Sequence, residues 1–430
     1  MNNSRKGNYK LPKIKKKINP RTTEIPLGRP DIILIMLVVL LTAFGLFMLM
    51  SASNPRAIAK NDETGLFFVN RQILYIAVGG IVGFLIGVFR WTRIFIQSGL
   101  FVWGFYIVTV LGLILTPFIG DTANDTTLVR SINIGPVSIQ FSEIAKFTIP
   151  LIMAWWVATY YQQFAASKAF NNWKNLKHFV KFIITPIILA AVPIGLVLFQ
   201  KHKSATMILG LILFTMLIVS NLRIKWLIMG ILLAAGAVFY YGTFVDDSTA
   251  SSRVGHMNIN VFKLDDKYEH YFDMNAQERE EEWQTYNSLL AIGSGGATGL
   301  GYGNSRQKYF YLPEPHNDFI FAVICEELGF FISLLVILAY LLLILRGFYI
   351  AANVPDKFLS LLVSGIMAHI SLQVLFNLVV VTGIINTGIS LPFISYGGSA
   401  LVVQLCEMGI VVAVSRYVPK NISHLGDWIS

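Results

Sequence analysis

Ten long stretches of apolar residues limit the folds open to this chain more than any other feature. A helix needs about 20 apolar residues to cross a hydrocarbon core of about 30 Å. In lipid the backbone must satisfy its own hydrogen bonds, so each stretch is predicted to form a transmembrane helix. The expected fold is an all-α polytopic membrane protein with about ten spans, near residues 32–52, 72–89, 98–118, 141–161, 180–199, 204–220, 225–243, 318–345, 358–382 and 397–415.

The composition agrees with this fold class. Of the 430 residues, 55% are hydrophobic and 13% are charged, which excludes an ordinary soluble domain. Ser51–Ser53 resembles a signal-peptide cleavage site, but the preceding apolar stretch is too long for a signal core, which favours an uncleaved first helix. Cys325 and Cys406 both fall within apolar stretches, which indicates buried thiols and no disulfide framework.

The distribution of Lys and Arg predicts the orientation. Residues 1–30 form a tail with nine basic residues and one acid, and such tails stay in the cytoplasm. With that choice the inner segments hold 21 basic residues and the outer ones twelve. Both termini are then cytoplasmic, residues 31–430 form the membrane domain, and one large outer loop, 244–317, joins helices 7 and 8. The net charge of +10 is therefore a topology signal, and no nucleic-acid partner is expected.

Few ionisable residues lie within the apolar stretches, where each costs about 2.5–3.5 kcal/mol on insertion scales. Glu143 and Lys146 are three residues apart in the fourth span, so they share one helix face and can pair. A structural ion pair and a role in chemistry are equally compatible with this spacing. For Glu326 and Glu327, hydrogen bonding between helices is favoured over chemistry. Glu407 lies in the tenth span.

Polar residues gather at the outer end of the eighth span. Asp318 begins the span, and a step of 100° per residue places it on the same side as Phe321, Cys325 and Glu326. We expect a cavity open to the outside to hydrate these groups. Asp318 is the best chemical candidate, although capping of the helix would also explain it. Glu314, His316 and a glycine-rich segment, 291–304, precede it, and that segment has the composition of a ligand-contacting loop or a flexible linker.

Two other outer segments are candidates for binding. Lys201 and Lys203 lie on the outer side against the orientation rule, which suggests an anion nearby, and Arg253 adds a cation early in the large loop. The turn 382–400 is uncharged and rich in Gly, Pro, Ser and Asn. Non-helical backbone of this kind is tolerated at a membrane edge where it lines a cavity.

Four segments resemble the SEDS family (shape, elongation, division and sporulation), the RodA- and FtsW-type proteins. They are INIGPVSIQFSEIAKF at 132–147, QKHKSAT at 200–206, TGISLPFISYGGSALV at 387–402, and the 47 residues from QTYNSLL to CEELGF at 284–330. The resemblance implies a peptidoglycan glycosyltransferase of the bacterial cytoplasmic membrane that polymerises lipid II for cell division or cell shape. The segment LPEPHNDF is more similar to the division or sporulation members of the family.

The resemblance also implies partners and site residues. Expected partners are a class B penicillin-binding protein, the undecaprenyl-linked lipid II and other membrane proteins of the divisome or elongasome. Asp318 matches the family's essential aspartate, and Glu143 and Lys146 match its helix-4 acid and base. Arg253, Lys201, Lys203, Glu314, His316 and Ser399 are the expected substrate-binding residues.

The chemistry follows as a hypothesis. The donor is an α-linked pyrophosphate and the product is β-1,4-linked, so one inverting displacement suffices, with Asp318 as the base for the acceptor hydroxyl. Lys201, Lys203, Arg253 or a divalent cation such as Mg²⁺ or Mn²⁺ would stabilise the leaving pyrophosphate. Asp318, Glu314 and His316 are the candidate metal ligands, and no organic cofactor is expected.

Two alternatives stay open. A lipid II flippase would also need about ten helices and charges in the membrane, but transporters place their sites near the midplane and often between inverted repeats. Here the polar residues gather at the outer edge and no repeat is evident. A scaffold that only positions a penicillin-binding protein would not need Asp318.

Overall fold

The computed structural model describes residues 28–59, 65–89, 92–120, 130–134, 137–160, 184–220, 276–385 and 387–419. All structural statements below concern these residues. The seventh span expected at 225–243, Arg253, the first part of the large outer loop and most of the basic tail lie outside them.

The described residues form a helical membrane protein, as predicted. Seven helices are long and apolar enough to cross a bilayer. They are α1 (Ile32–Ala59), α2 (Phe67–Val88), α4 (Gly99–Ile119), α5 (Phe141–Thr159), α9 (Ile320–Asn353), α10 (Lys357–Val381) and α11 (Gly398–Ser415). Two shorter apolar helices, α6 (Thr185–Phe199) and α7 (Lys203–Val219), match the fifth and sixth predicted spans.

Two helices extend beyond their predicted ends. α1 continues through Ser51–Ser53 to Ala59, and these three residues are buried within the helix. α9 continues to Asn353, well past the predicted end at residue 345. Helix α3 (Thr92–Gln97) and helix α8 (Ala276–Ser294) complete the helical elements of the described residues, and α8 lies within the segment predicted to form the large outer loop.

A small β-hairpin departs from the all-α expectation. Strands β1 (Ile132–Ile134) and β2 (Val137–Ile139) pair antiparallel, with Asn133 opposite Ser138. The alternation of Ile, Asn and Ile around a Gly-Pro pair is typical of such a hairpin. It lies between α4 and α5 and leads directly into the first turn of α5.

Small residues bring the central helices together. α5 and α10 are the most buried of the spanning helices, and a Cβ atom on Gly365 would lie 2.6 Å from Cβ of Pro150. At the contact of α2 with α11, a Cβ atom on Gly83 would lie 2.5 Å from the carbonyl oxygen of Leu405. Close approach at small residues is the usual way in which helices pack in membranes.

Helix α9 is interrupted at Gly329, whose φ of 73° and ψ of −175° are not helical. The interruption frees two carbonyl groups, and the glycine-rich segment supplies their donors. Leu300 N donates to Glu326 O at 2.9 Å, and Gly301 N donates to Glu327 O at 2.9 Å. A Cβ atom on Gly299 would lie 2.1 Å from the Glu327 carbonyl. The glycines therefore allow close backbone contact within the protein, and the flexible-linker interpretation is wrong for this part.

Candidate functional site

A polar cavity of about 390 Å³ lies where several helix ends meet, on the side predicted to face outwards. The turn before α9, the first turns of α5 and α7, and the segment 388–400 all contribute to its wall. Its charged and polar lining includes Arg130, Glu143, Lys146, His202, Asp318 and Ser399. The cavity thus brings together residues that are more than 200 positions apart in the sequence.

Two buried side chains hold Asp318 against the segment 388–400. Asn377 Nδ2 donates to the carbonyl oxygens of Asp318 at 2.8 Å and Ile389 at 2.6 Å. Ser395 Oγ donates to the carbonyl oxygen of Asn317 at 2.6 Å. These bonds fix the backbone on both sides of the cavity mouth, as non-helical backbone at a membrane edge requires.

The Asp318 carboxylate forms no hydrogen bond or ion pair within the described part of the chain. The N-cap residue of α9 is Phe319, and no side chain caps it, so the capping explanation for Asp318 is wrong. Burial, and secondly the negative charge of Glu314, raise the pKa of Asp318 to about 7. A carboxyl group of this kind exchanges a proton near neutral pH.

Glu143 and Lys146 form the ion pair that their spacing allows. Lys146 Nζ donates to the two Glu143 oxygens at 2.7 and 2.8 Å, and both side chains are buried. Both also line the cavity. The pair is thus part of the site's wall, and the choice between a structural and a chemical role stays a prediction.

The cations of the site differ from those expected. Lys201 and Lys203 are exposed and do not line the cavity, which His202 and Ser204 reach instead. Burial, and secondly the charge of Arg130, lower the pKa of His202 to about 4, so its ring is neutral at pH 7. Arg130 lines the cavity, and it was not identified from the sequence. It could have been found by the same signal as the two lysines, since it is also a basic residue in a segment predicted to be outer.

The three proposed metal ligands do not form one cluster. Glu314 lies 3.7 Å from His316 Nε2, but it pairs with Arg56 at 3.2 Å. The buried ring of His316 lies against Phe68 with centroids 4.4 Å apart. Neither lines the cavity that Asp318 lines. Among the described residues no group of three or more His, Cys, Asp and Glu could hold a metal ion. The protein's own side chains therefore do not fit the metal site that their sequence proximity suggested.

Glu326 and Glu327 face the end of the glycine-rich segment and the residues that follow it, and not the cavity as expected for Glu326. Both are fully buried. Glu326 accepts from Ser305 Oγ at 2.5 Å, and Glu327 pairs with Lys308 Nζ at 2.9 Å and accepts from Ser51 Oγ at 2.6 Å. These contacts agree with the predicted structural role of the two acids. The prediction that Glu326 shares one hydrated helix face with Asp318 is wrong, because the chain folds back over Glu326.

Two further polar groups adjoin the site. Ser399 Oγ accepts from Gln140 N at 3.1 Å at the start of α5. Glu407 pairs with His369 at the centre of the helix bundle. Sequence reasoning missed His369, which precedes the cavity residue Gln373 by one helical turn.

Comparison with known proteins agrees with this architecture. The family described as "Cell cycle protein", of FtsW, RodA and SpoVE type, matches residues 31–420. "Probable peptidoglycan glycosyltransferase FtsW" of Bacillus subtilis is 35% identical over 90% of this chain and 91% of its own length. "Stage V sporulation protein E" of the same organism is 34% identical over 90% and 97%.

Solved structures show the same fold. The rod shape determining protein RodA of Thermus thermophilus matches with a TM-score of 0.59 and 24% identity, over 91% of this chain and 98% of its own. A chain described under "Structural coordination of polymerization and crosslinking by a peptidoglycan synthase complex" matches with a TM-score of 0.63 and 23% identity, over 91% and 99%. The family match covers nearly all of the membrane domain, and the chain belongs to the FtsW, RodA and SpoVE family of cell cycle proteins.

Proposed function

We propose that this protein is a peptidoglycan glycosyltransferase that polymerises lipid II at the outer face of the bacterial cytoplasmic membrane. The observation that carries the proposal is the Asp318 carboxylate, which lies without a hydrogen-bond partner among the described residues in a cavity that also contains cationic side chains. The names of the curated relatives support the reaction class.

Asp318 acts as the general base. It accepts the proton of the acceptor sugar's 4-hydroxyl as the new C1–O4 bond forms and the C1–O bond to pyrophosphate breaks. The configuration at C1 inverts because the attack and the departure occur on opposite faces. A pKa of about 7 suits this role, since general bases work best when their pKa lies near the operating pH.

Arg130 and Lys146 are the cations that the cavity offers to the leaving pyrophosphate. Fixed positive charge in a site that excludes bulk water binds this anionic group more strongly than it would in water, both before and during its departure. We assign no step to a divalent cation, because the candidate ligands do not converge. Lys201 and Lys203 are positioned to attract the anionic donor from outside the cavity, and Arg253 stays a candidate of the same kind.

A class B penicillin-binding protein is the proposed partner, and division or sporulation is the proposed setting. The first rests on the similarity to a chain from a peptidoglycan synthase complex. The second rests on the relatives named FtsW and stage V sporulation protein E. The cavity wall is built from outer helix ends and outer turns, which fits polymerisation outside the membrane better than the midplane site of a transporter.

The test is polymerisation of labelled lipid II by the purified protein with its partner, with and without Mg²⁺ or Mn²⁺. Asp318→Asn keeps the size of the side chain and removes its basicity, so the initial rate should fall at least ~100-fold at equal amounts of folded protein. Asn317→Ala is the control and should have a much milder effect. Near-normal turnover by Asp318→Asn would end the assignment. Transfer of lipid II across vesicles without any polymer would favour the flippase.

A further inference from the structure

A stripe of buried polar side chains runs along one face of α10. His369, Gln373 and Asn377 are spaced four residues apart, so they lie one above another on the helix. Asn377 forms the bonds at the cavity mouth described above, and Gln373 Oε1 accepts from Gln404 Nε2 of α11 at 3.0 Å. His369 and Glu407 form the next contact between α10 and α11, one turn deeper in the membrane.

The His369–Glu407 pair is isolated from water. His369 Nδ1 lies 3.0 Å from Glu407 Oε2 and 3.1 Å from Oε1, and both side chains are about 1% exposed. Because the carboxylate only accepts, Nδ1 bears the hydrogen. The other ring nitrogen, Nε2, is buried and has no hydrogen-bond partner among the described residues. A buried polar atom of this kind needs an explanation, such as a water molecule or a further group.

The depth of His369 points to its missing partner. α5 runs inward from the outer face and α10 runs outward, and the two helices meet closely where Gly365 contacts Pro150. Four residues outward along each helix, about 6 Å, lie His369 on α10 and Lys146 on α5. His369 is also close enough to Glu143 for their charges to interact. The two buried pairs are therefore neighbours at one depth.

One hydrogen-bond donor of the Lys146 ammonium group is not used by Glu143. An ammonium group carries three donors, and the two contacts to Glu143 account for two of them. We propose that one water molecule joins Lys146 to His369 Nε2, so that Glu143, Lys146, His369 and Glu407 form one network across three helices. His369 and Glu407 are then positioning residues, which hold the Lys146 ammonium where it lines the cavity.

This inference deepens the proposed function, because Lys146 is assigned there to the donor pyrophosphate. The pair contacts no substrate and acts only through Lys146. Loss of the Glu407 charge should weaken donor binding, which is present before and during the reaction, more than it slows the chemical step. The expected signature is a raised KM for lipid II with kcat little changed.

A double-mutant cycle on stability tests the network without any enzymatic assay. Glu407→Gln and Glu143→Gln are made singly and together, and the thermal unfolding midpoint of the purified protein is measured. Residues in one network are coupled, whereas distant, independent residues are additive. We expect the shift of the double variant to differ clearly from the sum of the single shifts. Glu407→Gln combined with Glu327→Gln is the matched control, since Glu327 belongs to a separate buried network, and should be additive.

A kinetic test distinguishes two roles of the His369–Glu407 pair: positioning of Lys146, and support of the contact between α10 and α11. The double variant His369→Gln/Glu407→Gln keeps a hydrogen bond between α10 and α11 and should recover most of the stability that either single change loses. If the Glu407 carboxylate positions Lys146 through His369, the KM of this double variant for lipid II should stay raised by ~5-fold or more, a change within the usual coupling range. Recovery of both stability and KM would show that the pair only joins two helices, and would overturn the inference.

The outcomes also distinguish this inference from the proposed function. Additive shifts for Glu143 and Glu407 would overturn the network even if the protein polymerises lipid II. A coupled cycle in a protein that makes no polymer would instead leave the network intact and refute the enzyme assignment.

Discussion

Gly388→Ala should disable the site while leaving the fold intact, because of where its added atom would fall. A Cβ atom on Gly388 would lie 2.5 Å from Oδ2 of Asp318, and the next nearest atom, at 3.5 Å, belongs to the same carboxyl group. The backbone of Gly388 does not need a positive φ, so alanine introduces no backbone strain. The end of the Asp318 side chain can rotate away, which keeps the cost in stability small.

The rotation sets the size of the effect. Ordinary van der Waals contact begins at 3.4 Å, so Oδ2 must move by about 0.9 Å from its place. Misplacement of a catalytic group by about 1 Å can cost ~100-fold in rate. We therefore expect an initial polymerisation rate lower by ~30- to 100-fold on labelled lipid II, with an unfolding midpoint within about 2 °C of the parent protein.

Gly397→Ala is the matched control for this experiment. Gly397 lines the same cavity, but the nearest atom to its added Cβ would be Cβ of Ala400 at 3.5 Å. Its φ of −162° is ordinary extended backbone. This variant should polymerise at close to the parent rate. A Gly388→Ala protein with normal activity would refute the reasoning, since the position of the Asp318 carboxylate would then not matter.

The remaining predictions concern charge. Glu143→Gln or Lys146→Met alone should lower folded yield, because a lone buried charge costs about 3–5 kcal/mol, and the double change should recover part of it. Stable but inactive single variants would assign the pair to chemistry. The polymerisation rate should fall as pH drops below about 7, because Asp318 gains a proton there, and should level off above it. A rate that is constant from pH 5.5 to about 8.5 would contradict a base of this pKa. Lys308→Met should lower the unfolding midpoint by stranding Glu327, and Lys308→Met/Glu327→Gln should restore much of it without changing the rate per folded molecule.

The sequence was sufficient for the parts of the fold that local patterns encode. Apolar stretches of membrane length predicted nine of the helices found in the described residues to within a few positions, apart from the far ends of α1 and α9. A spacing of three residues predicted the contact between Glu143 and Lys146. These features depend on the period of the α-helix and on the thickness of the bilayer, and both are readable without tertiary information.

Contacts between distant segments could not be read in the same way. Lys308 meets Glu327 only because the glycine-rich segment folds back onto the interruption of α9, and no periodicity predicts such a return. Arg130 reaches the cavity because a hairpin turns the chain into α5. In the sequence, His369 is one polar residue in an apolar stretch. Its pairing with Glu407 depends on which helix packs against α10, and the sequence does not show this.

This folding back of the chain explains why Glu326 and Glu327 have hydrogen-bond donors whereas Asp318, before the start of α9, does not. Glu327 receives a hydrogen bond from Gly303 N of the glycine-rich segment, and Glu326 receives one from Arg306 N just after it. Both carboxylates are therefore satisfied inside the protein and unavailable to a ligand. Asp318 lies two turns further out. Its backbone is held by Asn377 there, and its carboxylate receives no hydrogen bond from the described residues. Asp318 is only partly buried and lines a cavity large enough for part of a sugar donor. Because the described residues leave its carboxylate without a donor, it is the acid from which chemistry is to be expected.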